Sequence, residues 1–151
     1  MDKKDGKKMI YTNMTKKALK LCYDAHKDQL DKSGMPYVFH PFHLAEQMDD
    51  EITTIVALLH DIIEDSKYTL EDIEQMGFSK EAIQAIDVLT HKPEDTYMEY
   101  IEKVATNKIA KIVKLADLEH NSDKTRLDYL TEKDLHRLEK YAVARGMLSG
   151  E

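Results

Sequence analysis

The 151-residue sequence has one cysteine, five glycines, three prolines and no long apolar run. A single cysteine cannot close an internal disulfide, so a reducing cytoplasm is the expected location. Cys22 lies among Ala18, Leu21 and Ala25 and reads as a packing residue. No stretch approaches the ~18 apolar residues of a membrane span. The basic start MDKKDGKKM has no apolar segment behind it, so no secretory signal is expected there. A basic surplus is also missing, because 29 acids face 22 lysines and arginines and leave a net charge of -7. Nucleic-acid polymers and anionic membranes need a basic face, so neither is an expected partner. A small anionic ligand held by a metal ion and a few lysines stays compatible with this balance.

Helix starts take the place of glycine and proline punctuation. Thr69 with Asp72, Thr96 with Glu99 and Thr131 with Asp134 each set a hydroxyl three residues ahead of an acid, the pattern that caps a first turn. No run alternates apolar and polar residues, and no repeat or low-complexity linker breaks the chain. The expectation is an all-α, compact single-domain bundle, with a loose segment over 1–12 and one domain over 13–151. Helices are expected at about 15–31, from Pro41, at 51–65, 70–76, 80–90, 97–105, 107–121 and 132–147. No sustained heptad appears, so the pattern specifies no oligomeric state.

The helix expected at 51–65 is the informative one. Ile52, Ile55, Val56, Leu59 and Ile63 keep the spacing of a buried stripe, and Leu58 and Ile62 widen it. Yet its C-terminal end carries His60, Asp61, Glu64 and Asp65. On one helix His60 and Glu64, and likewise Asp61 and Asp65, would be neighbours a turn apart. The backbone dipole disfavours negative charge at that end, and buried carboxylates without a partner tend to take up protons. A divalent cation removes both problems. A solvated, exposed helix end is the alternative.

Two weaker constellations accompany it. Lys114, Asp117 and Asn121 lie at i, i+3 and i+7 of the helix expected at 107–121, opposite a stripe of Ile109, Ile112, Val113 and Ala116. They could serve a metal and an anionic ligand together, or form a solvated polar face. In Tyr37-Val38-Phe39-His40-Pro41, His40 precedes a helix start. His26, His43, His60, His91, His120 and His136 compete with it as ligands, and spacing does not separate them. Tyr37 and Phe39 read as packing around the His40 turn, with a base-stacking wall as the alternative.

These segments, in this order, resemble the HD-domain metal-dependent phosphohydrolases. More narrowly they are similar to the hydrolase domain of RelA/SpoT-type proteins and the small alarmone hydrolases. The resemblance is carried by Ala25-His26, Lys32-Ser33-Gly34-Met35-Pro36-Tyr37, His40-Pro41, Ala57 to Asp61 with Glu64-Asp65, and Lys114 to Asp117 with His120-Asn121. It covers roughly 15–148 and implies an HD-type helical bundle. The implied metal ligands are His40, His60, Asp61 and Asp117, with Mn2+ the usual ion of this branch. Such N and O ligands suit the harder divalent ions and iron. Glu64 and Asp65 match the acidic pair that orients water and handles protons. Lys32 and Asn121 match nucleotide contacts, and Lys114 would offset substrate charge, helped by Lys111, Lys124 or Arg126 if they face the cleft.

The implied reaction removes the 3′-pyrophosphate of (p)ppGpp. The synthetase half of the long family members is not among these residues. Family members carry arginine where this chain has Asp31, and Arg-Leu where it has Leu118-Glu119. An altered nucleotide pocket is therefore expected. Other phosphorylated nucleotides or dinucleotides are the alternative substrates. A non-catalytic metal or nucleotide sensor and a helical interaction module are the alternatives of other classes. Loss of Glu64 or Asp65 would favour the sensor, and both are present.

Overall fold

The computed structural model describes residues 8–150. Its helices are α1 (Asn13–His26), α2 (Phe39–Glu46), α3 (Glu51–Leu59), α4 (Ile62–Asp65), α5 (Leu70–Gln75), α6 (Lys80–Leu89), α7 (Tyr97–Ala105), α8 (Lys108–Asn121) and α9 (Glu132–Ser149), with a 3-10 turn at Lys124–Arg126. Among the described residues there is no strand, only an isolated bridge between Leu30 and Pro36. The fold is all-α, as the patterning predicts. No helix of the described residues is long and apolar enough to cross a membrane.

The three capping boxes expected from sequence form as reciprocal bonds at α5, α7 and α9. Each satisfies two backbone donors that the first turn leaves orphaned. The loose segment expected over 1–12 lies outside the described residues for its first seven positions. Of the rest, Met9 is buried against the core, and Thr12 forms a fourth capping box with Thr15 at α1.

α3 is the axis of the bundle. Every residue from Thr53 to Leu59 is buried, and α1, α2, α6 and α8 pack around it. Each fully buried leucine or isoleucine here contributes ~1.5–3 kcal/mol by leaving water. α9 covers α7 and α8 on one side. From Thr53 to Leu59 α3 thus has no solvated face, and the His60 ring that follows must be satisfied inside the protein.

Two helix boundaries differ from expectation in ways that shape the site. α1 stops at His26 rather than running to Asp31, because the Asp31 carboxylate instead accepts from the Ser33 and Met35 amides at 2.9 and 3.0 Å. Such local bonds compete with the helix ladder. The turn they hold passes through Gly34 at φ +80, a left-handed conformation that glycine adopts without a side-chain clash. The single helix expected over 51–65 is broken, since α3 ends at Leu59 and Asp61 (φ -106, ψ 4) starts α4. The break moves Glu64 and Asp65 from the disfavoured end of a long helix into the first turn of a new one. It also undoes the i, i+4 pairing that one continuous helix would impose on His60 with Glu64.

Candidate metal centre and adjoining cleft

Three segments meet at the C-terminal end of α3. α2 brings His40 in its first turn, the α3–α4 junction brings His60 and Asp61, and α8 brings Asp117. His40, His60 and Asp117 are 3–4% exposed, whereas the Asp61 side chain keeps 22%. One ligand atom from each of His40, His60 and Asp61 lies within 4.8 Å of the others. Asp117 Oδ1 lies 2.8 Å from His40 Nε2 and 3.6 Å from His60 Nε2. The four residues singled out as ligands are thus brought together.

The His60 ring fixes its own tautomer. Nδ1 is 2.7 Å from the Ala57 carbonyl, which can only accept, so Nδ1 carries the proton. Nε2 is then a lone pair, and it is buried without a hydrogen-bond partner. It faces Asp61 Oδ2 at 3.1 Å and Asp117 Oδ1 at 3.6 Å, atoms that also cannot donate when ionised. A lone pair and two carboxylates converging in a buried place are mutually repulsive unless a cation lies between them. The donor set and this orphaned nitrogen fit a divalent metal ion. The backbone carbonyl behind His60 is the usual outer partner of a metal-bound imidazole.

The electrostatics agree. Burial, then the neighbouring Asp117 and Asp65 charges, push the Asp61 carboxyl well above the ordinary range. Burial works against the Asp117 carboxylate too, but the Lys114 ammonium and the bond from His40 hold it well below that range. Burial depresses His40, opposed by Asp117. Behind His40, its Nδ1 lies 2.7 Å from Nδ1 of His120. Burial, the Arg126 charge and the adjacent imidazoles push His120 down to about 3, so it is a neutral ring. His120, a competing ligand by sequence, therefore stands behind His40.

Beside the cluster opens a cleft of about 320 Å³. Tyr37 and Asn121 stand at the junction. The Tyr37 hydroxyl donates to Asp61 Oδ2, and Asn121 Nδ2 donates to Asp117 Oδ1 at 3.0 Å. Farther out, the walls carry Lys32, Arg126 and Arg137 with Asp31, Asp123 and Asp134, over an apolar floor that includes Leu127, Leu138 and Tyr141. The Asp31 charge is answered by Arg126, whose guanidinium lies 3.8 Å away while its NH1 donates to the His120 carbonyl at 3.0 Å. The cleft therefore has guanidinium groups, supplied by the 3-10 turn and α9 rather than by the loop after α1.

The other candidates fall into place around these two features. Lys32 and Asn121 line the cleft. Lys114 does not; its side chain is 13% exposed, lies 5.2 Å over the Tyr100 ring and bonds Asp117 Oδ2 at 2.8 Å. Glu64 and Asp65 are exposed at the end of α4, and Glu64 Oε1 accepts from the His91 amide at 2.5 Å. Lys111 and Lys124 are not in the cleft wall, and Arg126 is. Phe39, expected to pack about the His40 turn, is 55% exposed. Tyr37 does pack, its ring centroid 5.0 Å from that of His26 in an edge-on arrangement, but its hydroxyl role was not anticipated. Spacing could have flagged His120, one turn from Asp117. Nothing local marks Arg137 or His91, because only the packing of α9 and of the 90–96 loop brings them here.

No family model matches the chain. It is 34% identical over 140 residues to a guanosine-3′,5′-bis(diphosphate) 3′-pyrophosphohydrolase of Borreliella burgdorferi, covering 82% of this chain and 20% of that protein. It is 31% identical over 144 residues to a GTP pyrophosphokinase of Myxococcus xanthus, covering 83% and 19%. It is 34% identical over 113 residues to the bifunctional (p)ppGpp synthase/hydrolase SpoT of Escherichia coli, covering 65% and 16%. The chain thus spans about a fifth or less of the curated relatives it matches. A solved structure of a metazoan ortholog of SpoT, described as hydrolysing ppGpp, superposes with a TM-score of 0.76 over 93% of this chain and 87% of that one, at 23% identity. That likeness shows a shared fold.

Proposed function

We propose that this chain, which belongs to the HD-type hydrolase domains of RelA/SpoT proteins, is a metal-dependent phosphohydrolase that removes the 3′-pyrophosphate of (p)ppGpp. The observation that carries the reading is the buried lone pair of His60 Nε2, converging with His40, Asp61 and Asp117. These four residues would hold the ion, and Mn2+ is the ion we assign. When bound, such an ion lowers the pKa of a water ligand and polarises the phosphoryl group under attack.

The chain's own groups do the rest. Glu64 offers one carboxylate oxygen to His91 N–H, which orients the other to accept a proton from the attacking water. Asp65, next to it and exposed, is the second proton-handling group and serves the leaving oxygen. Lys114 neutralises one Asp117 oxygen and leaves the other for the ion. Lys32 and Asn121 contact the nucleotide, with Arg126 and Arg137 beside them. The domain spans 13–151 in this reading and works in the cytoplasm, consistent with its single buried thiol.

One observation supports a second substrate class. Asp31, Asp123 and Asp134 stand among the three cations of the cleft, so its walls carry no net positive charge. That balance suits a nucleotide with fewer phosphates than (p)ppGpp. A release assay with added Mn2+ over guanosine tetraphosphate, nucleoside mono-, di- and triphosphates, and a phosphorylated dinucleotide separates the readings. Pyrophosphate together with GDP is the expected product pair. Single phosphate released from a monophosphate would favour the second class, and no turnover of any nucleotide would refute hydrolysis.

A further inference from the structure

The cleft wall contains a buried carboxylate, Asp134, to which the hydrolytic reading gives no part. Asp134 is 7% exposed, and both of its carboxylate oxygens are occupied. Oδ2 accepts from the Thr131 amide and hydroxyl at 3.0 and 2.9 Å, which anchors the group to the start of α9. Oδ1 accepts from Arg137 NH2 at 2.7 Å and from Lys32 Nζ at 3.3 Å. Arg137 belongs to α9, and Lys32 to the loop between α1 and α2, a hundred residues earlier. One oxygen therefore ties two walls of the cleft together and holds two cations side by side. Without that oxygen the two cations would repel each other, and Lys32, whose side chain is 54% exposed, would sample many rotamers.

Each cation gives one hydrogen to Asp134 and keeps others. An ammonium has three and a guanidinium five. Both side chains also line the cleft. Two donors held about one oxygen in the wall of an open cavity, each with hydrogens to spare, can form a seat for a second oxyanion.

We propose that Asp134 is a positioning residue that sets Lys32 and Arg137 as a paired anion seat for a phosphate group of the ligand that is not the one being cleaved. Its assignment to a nucleotide phosphate rests on the reading given under Proposed function. The seat itself does not, because it can bind an anion without metal or turnover. Asp134 acts here through preorganisation, which outweighs its own negative charge as a competitor for the two cations.

The test is calorimetric titration of the full chain with inorganic pyrophosphate in the presence of a chelator. The wild type should bind. Asp134→Asn, Arg137→Gln and Lys32→Gln should each weaken binding at least fivefold, and Asp134→Asn should add less than twofold in the Arg137→Gln background. Non-additivity of that kind reports one shared unit. Thr131→Ala takes the cap hydroxyl from α9 but leaves the carboxylate charge. It should lower Tm and keep binding within twofold. Lys103→Gln, which removes a cation on α7 away from the cleft, should change nothing. Absence of wild-type binding, equal or tighter binding by Asp134→Asn, fully additive losses, or a Thr131→Ala loss matching that of Asp134→Asn would each overturn the proposal. Failure of the hydrolase reading is seen separately, as pyrophosphate binding without nucleotide turnover.

Discussion

The candidate metal cluster and the cleft share a boundary at Tyr37 and Asn121 but are built on opposite principles. The cluster is sunk in the bundle, its candidate ligands come from helices packed on or flanking α3, and three of the four are almost fully buried. The cleft is walled by a loop, a 3-10 turn and the outermost helix, with each cation answered by a carboxylate. Buried charge must be compensated in place, so the cluster has one workable arrangement. Surface charge can be balanced by residues from anywhere in the chain, so the cleft can keep its character while its arginines change position.

The largest effects should come from breaking the cluster. Asp61→Ala should abolish both metal content, read by elemental analysis, and turnover. Asp117→Ala should do the same and also destabilise the fold by ~3–5 kcal/mol, because it leaves the Lys114 ammonium buried and uncompensated. An Asp61→Ala protein that keeps a full equivalent of tightly held ion would show that the cluster is not the metal site.

Next in size, Glu64→Ala should retain the ion and lose about 10²–10⁴-fold in kcat, the usual worth of a positioned acid or base. Loss of the ion in this variant would merge two roles that the structure keeps apart. At the boundary, Tyr37→Phe deletes the hydroxyl that donates to Asp61. Outer partners of metal ligands are worth roughly 10–100-fold in metal affinity, and a drop in that range is expected by competition with a chelator. No change would mean that the cluster does not depend on the cleft wall.

The smallest effect belongs to the cleft. Asp31→Asn frees Arg126 from its counter-ion at 3.8 Å, and should alter KM only a few-fold with kcat and metal content unchanged. That change should shrink further between low salt and 0.5 M salt, because partly exposed charges are screened. A salt-independent effect, or one on metal content, would contradict the division between buried cluster and solvated cleft.

Much of the cluster was legible because its evidence is local. His60 and Asp61 follow an apolar run that can only be buried, and acids in that setting need compensation. Lys114, Asp117 and Asn121 share a helix face whatever the rest of the chain does. His40 was a weaker case, since six other histidines competed and only the packing of α2 on α3 and α8 tells them apart. The break between Leu59 and Ile62 was invisible, as periodicity cannot register a turn that keeps the same residues buried. Arg126 was a candidate and does line the cleft, whereas Arg137 was invisible, because it lies far from the Lys32 loop in sequence and beside it in space.

The order of residues by itself determined an all-helical chain with capped starts, an oily axis and a cluster of His60 and acids at its tip. Those follow from periodicity, hydrogen-bond geometry of first turns and the cost of burying charge, which act within a few residues. Tertiary structure alone decided which histidine joins His60, how Tyr37 and His120 support the ligands, and which cations reach the cleft. Those depend on distances between segments separated by tens of residues, and only the packing of helices around α3 sets such distances.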